Sequence, residues 1–171
     1  LLPAASLPTA LHALRRLAEY QDPAYARLYL DRLRPFVTAH ATAPWFDELM
    51  RHLGLWMSYE DGIRVADLKT RPERLTRVAG EVGAGEAQVL HVDEFLHPRL
   101  EEIADVLPAP LGRGLLRRPR ARSAVSALVG RGRVVRTTSL RGYLGLWLVA
   151  GLRRWRRGSL RYARENAAIE R

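Results

Sequence analysis

His91, Asp93, Glu94 and His97 form the histidine and carboxylate cluster whose spacing comes nearest to a metal site. Imidazole nitrogens and carboxylate oxygens are the donors a divalent ion accepts. On a strand, His91 and Asp93 would share a face. Pro98 breaks that geometry straight after His97, so convergence of the four is unsupported and a strand-to-helix turn is the plainer reading. A second set, Glu60, Arg64, Asp67 and Arg71, is a ladder of alternating charge at helical spacing. It is either a solvated helix face or a polar network between helices or subunits, where buried charges must be paired. A third set is purely cationic: Arg117 and Arg118, then Arg153, Arg154, Arg156 and Arg157 around Trp155. These six are the candidate partner-binding residues.

No nucleophile, cofactor loop or thiol chemistry accompanies them. The chain has no cysteine, which removes disulfides, thiolate metal sites and cysteine-held iron–sulfur clusters. Gly130-Arg131-Gly132-Arg133 and Gly112-Arg113-Gly114 lack the strand, glycine turn and helix of a nucleotide loop, and read as flexible turns. No residue is assigned a catalytic, cofactor-binding or metal role.

The charge is polarised. Leu111–Arg171 carries 16 Lys+Arg against two acids, Glu165 and Glu170, whereas Leu1–Pro110 carries 12 against 16. The basic third must meet an anionic surface, meet acids elsewhere, or close a helix C-terminus, where positive charge is favoured. Trp155 and Tyr162 lie among arginines, as aromatics that stack on nucleic-acid bases would. No recognised nucleic-acid module accompanies them, so nucleic acid is the rival partner and not the first. The arginine bias itself, with Lys69 the single lysine, fits a GC-rich genome. The apolar run Tyr143–Leu152 is about half of the roughly 20 residues a membrane span needs, so no membrane partner is expected.

The elements that would position these groups are helical. Leu11, Leu14 and Leu17 mark a helix over 8–20. Asp22-Pro23 is a helix start, and Tyr25, Leu28, Tyr29, Leu33 and Phe36 form its apolar face, with Pro35 expected to distort or close it. Pro44 opens a long third helix with a stripe of Trp45, Leu49, Leu53, Trp56 and Ile63, widened by Phe46, Met50 and Met57. This helix carries the charged ladder, and Gly62 lies inside it at a cost of about 1 kcal/mol. Pro72 starts or kinks a helix ending near Val82. Residues 89–92 and 133–138 read as short strands that pair with each other. Pro98 begins a short helix, and a turn of helix follows Pro110. Residues 117–133 read as a flexible arginine-rich loop with a weak helical middle. Ser139 caps a helix over Leu140–Trp155, apolar nearly all round and so expected to be buried. A last amphipathic helix follows Gly158-Ser159. The class is mainly α, a single helical domain with a core around Trp56 and Trp147.

Several strings, in order along most of the chain, resemble one family. They are Arg16-Leu-Ala-Glu-Tyr-Gln-Asp-Pro-Ala-Tyr-Ala-Arg-Leu-Tyr-Leu-Asp-Arg-Leu33, and the most specific, Leu55-Trp-Met-Ser-Tyr-Glu-Asp-Gly-Ile-Arg-Val-Ala-Asp-Leu-Lys-Thr-Arg71. Asp93-Glu-Phe-Leu-His-Pro98 with Leu107-Pro108, and Arg136-Thr-Thr-Ser-Leu-Arg-Gly142, complete the set. Together they resemble the helical region that follows the gamma-type catalytic domain in indolepyruvate ferredoxin oxidoreductase beta-subunit-like proteins. Gly62 departs from the larger aliphatic residue expected there. The resemblance implies an accessory, scaffolding domain over 1–171, an internal fragment of a longer cytoplasmic oxidoreductase subunit that oxidatively decarboxylates an aryl 2-oxoacid. It implies no cofactor in this fragment, with thiamine diphosphate and iron–sulfur clusters elsewhere in the assembly. The partners implied are other domains or subunits of the enzyme and an acidic ferredoxin. No catalytic residue of the family falls on this chain.

Overall fold

A computed structural model describes residues 2–85, 88–129 and 132–171. The structure is 73% helical and, among the described residues, has one small antiparallel sheet of two strands, so the mainly α class holds. Contacts divide it into two compact units, Leu1–Tyr59 with Arg164–Arg171, and Glu60–Ala163. Among the described residues, no helix is long and apolar enough to cross a membrane.

The first unit packs α1 (Leu7–Tyr20), α2 (Pro23–His40) and α3 (Phe46–Met57) against one another. Asp22 starts α2 as the sequence suggests: its carboxylate accepts from the Tyr25 amide at 2.8 Å, and Pro23 occupies the first turn. Pro35 does not end α2, which runs on to His40. The core is Ala10, Ala13 and Leu17 from α1, Tyr25, Tyr29 and Leu33 from α2, and Phe46, Met50 and Met57 from α3. The face of α3 is therefore turned from the expected one. Trp45 and Trp56 are 46% and 60% exposed, and the buried line is Phe46, Met50, Gly54, Met57. Gly54 explains the rotation. A Cβ there would lie 3.0 Å from the Ala13 Cβ, so α1 and α3 cross where both side chains are small. A glycine carries no hydrophobic signal, so the pattern favoured the larger neighbours. Tyr25 and Tyr29 then reach across and donate to the carbonyls of Met57 (2.9 Å) and Met50 (3.1 Å).

The third helix also ends earlier than its pattern suggests. It stops at Met57, where the Ser58 hydroxyl donates back to the Gly54 carbonyl at 2.9 Å. Arg16 in turn donates to Ser58 Oγ at 2.6 Å. Asp61 starts a new helix, α4 (Gly62–Thr70). Gly62 is thus a first-turn residue and escapes the cost of a helix-interior glycine.

The second unit continues with α5 (Pro72–Glu81), β1 (Asp93–Leu96), α6 (Leu100–Val106) and α7 (Ala109–Arg117). Then come α8 (Pro119–Val129), β2 (Arg133–Arg136), α9 (Leu140–Gly151), a 3₁₀ segment (Leu152–Gly158) and the start of α10 (Leu160–Ile169). The strands pair as expected, with Asp93 opposite Arg136, but the first lies at 93–96 and not 89–92. Two expected loops are helices. Gly112-Arg113-Gly114 lies within α7, where a Cβ on Gly112 would run into the Ala104 carbonyl and Leu160. Most of 117–133 is the end of α7, all of α8 and the start of β2, and Gly130 and Arg131 lie outside the described residues. α9 packs on α4 but contains no fully buried residue, and Trp147 is 55% exposed. The expected core around Trp56 and Trp147 is therefore corrected. Both indoles face outward, and the cores form around tyrosine, methionine and alanine in the first unit and around Ile63, Ala66, Ala104 and Leu160 in the second.

Two outcomes follow. Trp45, Trp56, Trp147 and Trp155 are all about half or more exposed, so native tryptophan emission should lie near that of the unfolded chain and be readily quenched by iodide. A blue-shifted, quencher-resistant emission would contradict this arrangement. Tyr29 is pushed up from an ordinary 10.0 to about 12, first by burial and then by the Asp47 charge. The fold keeps its phenol protonated while the unfolded chain ionises. Its contribution is therefore whole below pH 10.0 and lost as pH climbs toward about 12. Urea titrations across that range should show stability falling, with a shallower fall in Tyr29→Phe.

Candidate functional site

The candidate residues separate into those used inside the fold and those left at its surface. Arg156 is the clearest of the first kind, and it is held by Asp61, a residue outside the candidate sets. The Asp61 backbone is extended (φ −118°, ψ 169°), and Oδ1 accepts from the Arg64 amide at 2.7 Å, capping α4. The same carboxylate receives a two-pronged contact from Arg156, Nε to Oδ2 at 2.8 Å and Nη2 to Oδ1 at 3.2 Å. The side chains are 1% and 4% exposed. Arg156 therefore cannot belong to an outward docking face, and the six-arginine candidate is corrected to exclude it.

The local helix type explains why Arg156 turns in while Arg154 and Arg157 do not. Over Leu152–Gly158 the chain is 3₁₀, so residues three apart eclipse. Arg153 and Arg156 lie on the inner side, half-buried and buried, while Arg154 and Arg157 lie outside. Arg117 and Arg118 at the end of α7 are also exposed. Trp155 projects between the outer pair at 75% exposure.

The charged ladder is partly realised. Asp67 accepts from Arg64 (2.9 Å) and from Arg71 (2.7 Å), all three half-buried. Glu60 sits before α4 on exposed backbone and takes no part, because the helix that would have aligned it begins two residues later. The network thus lies along α4 and its C-terminal cap.

The histidine and acid cluster is taken apart by strand alternation. His91, Asp93 and His97 lie on the exposed side, and Glu94 turns the other way. Glu94 pairs with Lys69 at 2.5 Å and with Arg74. Asp93 is gripped by Arg136 at 2.8 and 3.1 Å, and that hydrogen bond and charge hold its carboxyl below the usual range. His97 stacks on Phe95, ring centroids 6.3 Å apart. Among the described residues, no group of histidine and acidic side chains is placed to hold a metal.

A groove of about 570 Å³ runs along α4 and α5 with Val65 and Leu68 on its wall and Lys69, Arg71, Arg74 and Arg77 around it. Each cation has a carboxylate: Glu94 for Lys69 and Arg74, Asp67 for Arg71, and Glu81 for Arg77 at 3.6 Å. Their charge is offset within the chain, so the groove is a weak anion trap.

Comparison with known proteins places the chain. The family model DUF6537, described as a family of unknown function, matches residues 8–171. The chain belongs to that family. No curated protein and no solved structure matches it. The match spans both compact units, so the Asp61–Arg156 pair, the surface arginines and α9 all lie within the family's own extent.

Sequence reasoning missed two features of this surface. Asp61-Gly62 carried a capping signal, which a continuous ladder across it obscured. The outward apolar side of α9 carried no signal at all, since an all-apolar helix reads as buried.

The pair yields a stability prediction. Asp61→Asn keeps a capping oxygen but removes the charge facing Arg156. It should lose about 3–5 kcal/mol, the usual cost of breaking a buried pair, in urea unfolding followed by circular dichroism. Arg154→Ala, on the outer side of the same segment, should change stability by less than about 0.5 kcal/mol.

Proposed function

We propose that this chain is an accessory, scaffolding domain of an indolepyruvate-type 2-oxoacid ferredoxin oxidoreductase of the cytoplasm. In this reading it positions the catalytic domains or receives a partner and carries no chemistry of its own. Thiamine diphosphate and the iron–sulfur clusters belong to other parts of the assembly. One observation carries the reading: how the charges are used. Of the candidate acids Glu60, Asp67, Asp93 and Glu94, all but Glu60 are bound to arginine or lysine within the fold, as is Asp61. Arg117, Arg118, Arg154 and Arg157 stand at the surface. Acids that hold structure and cations that face outward suit a domain that meets an acidic partner. The most specific string of the resemblance, 55–71, also covers the α3–α4 break and its capping Asp61, so it falls on architecture.

The acidic partner in this reading is ferredoxin, drawn to the outer arginines by long-range attraction. Arg154→Glu with Arg157→Glu in the parent enzyme should slow ferredoxin reduction about tenfold at low salt. The deficit should shrink as salt rises, because exposed charges are screened beyond about 8 Å at physiological ionic strength. Reduction of a small dye should be unchanged. Equal loss with dye and ferredoxin would assign these arginines to structure, and no loss with either would remove the docking role. Trp155, exposed between Arg154 and Arg157, favours a second reading as a single-stranded nucleic-acid module. Tight, steeply salt-dependent binding of an oligonucleotide by the wild-type chain would promote it.

A further inference from the structure

The outward side of α9 is an apolar feature left without a use. At about 100° per residue, Leu140, Tyr143, Leu144, Trp147 and Leu148 fall on one stripe, 39–74% exposed. Gly142, Leu146, Val149 and Ala150 fall on the other side and are the less exposed set, as the helix side packed on α4 should be. Each large side chain of the stripe offers on the order of 100 Å² to solvent, so the whole reaches the few hundred Å² that mark an interaction surface.

Two further observations describe what would fit it. Gly151 is exposed in the line of the stripe and Gly145 on its flank, past Arg141, and among the described residues nothing beyond their own helix backbone lies within 4 Å of where a Cβ would be. Glycines inside a helix are costly unless something approaches closely. Among the described residues neither glycine has such a neighbour, so the two notches suit the backbone of an incoming helix. The border of the stripe is cationic, with Arg141 beside it and Arg154 beyond its end, both exposed. Between Asp105 and Glu165 the chain has no acidic residue.

We propose that the outward stripe of α9 is a seat for a helix of a protein partner whose contact face is apolar and bordered by carboxylates. A second copy of this chain is disfavoured, because symmetric pairing would set Arg141 and Arg154 against like charges with no acid between. A lipid surface would satisfy the apolar and cationic features but has no use for the two notches. The inference is independent of the oxidoreductase reading, since it needs only the stripe, its notches and its charge.

The test is photo-crosslinking of the intact protein in its source cells, with benzoylphenylalanine in place of Trp147 or Leu148, and of Leu11 on α1 as control. Mass spectrometry then locates the products. The expected result is one helical segment of one protein, apolar on one side with Asp or Glu at its borders. Arg141→Glu with Arg154→Glu should cut that yield severalfold. Gly145→Leu with Gly151→Leu should do the same, because filled notches exclude a close helix. Purified chains carrying these changes should melt no lower than wild type, since all four positions are exposed. Cross-links to α9 of a second copy, to lipid, or scattered as from Leu11 would overturn the proposal. So would full yield in the leucine variant, or a fall in melting temperature showing that the stripe belongs to the chain's own core.

Discussion

The second unit is organised around one buried ion pair, Asp61 with Arg156. Desolvating both charges is costly, and only a two-pronged contact with further hydrogen bonds offsets it. Asp61 meets that demand by also capping α4, so its carboxylate has three donors on two oxygens. The pair fixes the start of α4 and ties it to the segment directly after α9, the helix that α4 packs against. Other contacts follow from this frame. Leu160, just past the 3₁₀ segment, donates its amide to the Leu107 carbonyl at 2.9 Å. Its side chain then lies over Gly112, where α6 and α7 come close.

The same economy governs the other acids. Glu94 joins β1 to Lys69 of α4 and Arg74 of α5, Asp93 joins β1 to Arg136 of β2, and Asp105 of α6 meets Arg161 of α10 at 3.4 Å. A two-stranded sheet is marginal alone, and here its two acids reach both the partner strand and neighbouring helices. The abundance of arginine is thus partly structural. Its planar fork can bind a carboxylate with two parallel hydrogen bonds, which a lysine ammonium cannot. What stays outside after these pairings is a smaller and more specific cationic surface than the composition suggests, and it adjoins an apolar helix side.

Much of the fold was legible in the sequence because it rests on local chemistry. Asp22-Pro23, Pro72, Ser139 and Gly158-Ser159 mark element ends where they fall, since capping and proline geometry act within a few residues. Errors arose where a distant contact outweighed local preference. Small residues at the α1–α3 crossing turned Phe46 and Met50 inward in place of Trp45 and Trp56. Pro35 was carried within α2. Of the candidate site, the outer arginines Arg117, Arg118, Arg154 and Arg157 were legible as charge, but the removal of Arg156 from that set was not.

By itself the sequence determined the helical class, many element boundaries, the second strand and the concentration of positive charge in the last third. Each of these depends on residue type and near-neighbour spacing. Tertiary structure alone decided which charges are spent inside the fold and which apolar side remains uncovered. Arg156 and Arg157 are adjacent and chemically identical, yet a 3₁₀ turn buries one against Asp61 and leaves the other on the exposed side. α9 is apolar nearly all round, and packing against α4 on one side leaves the other bare. Those outcomes depend on partners far away in the chain, which no local pattern encodes.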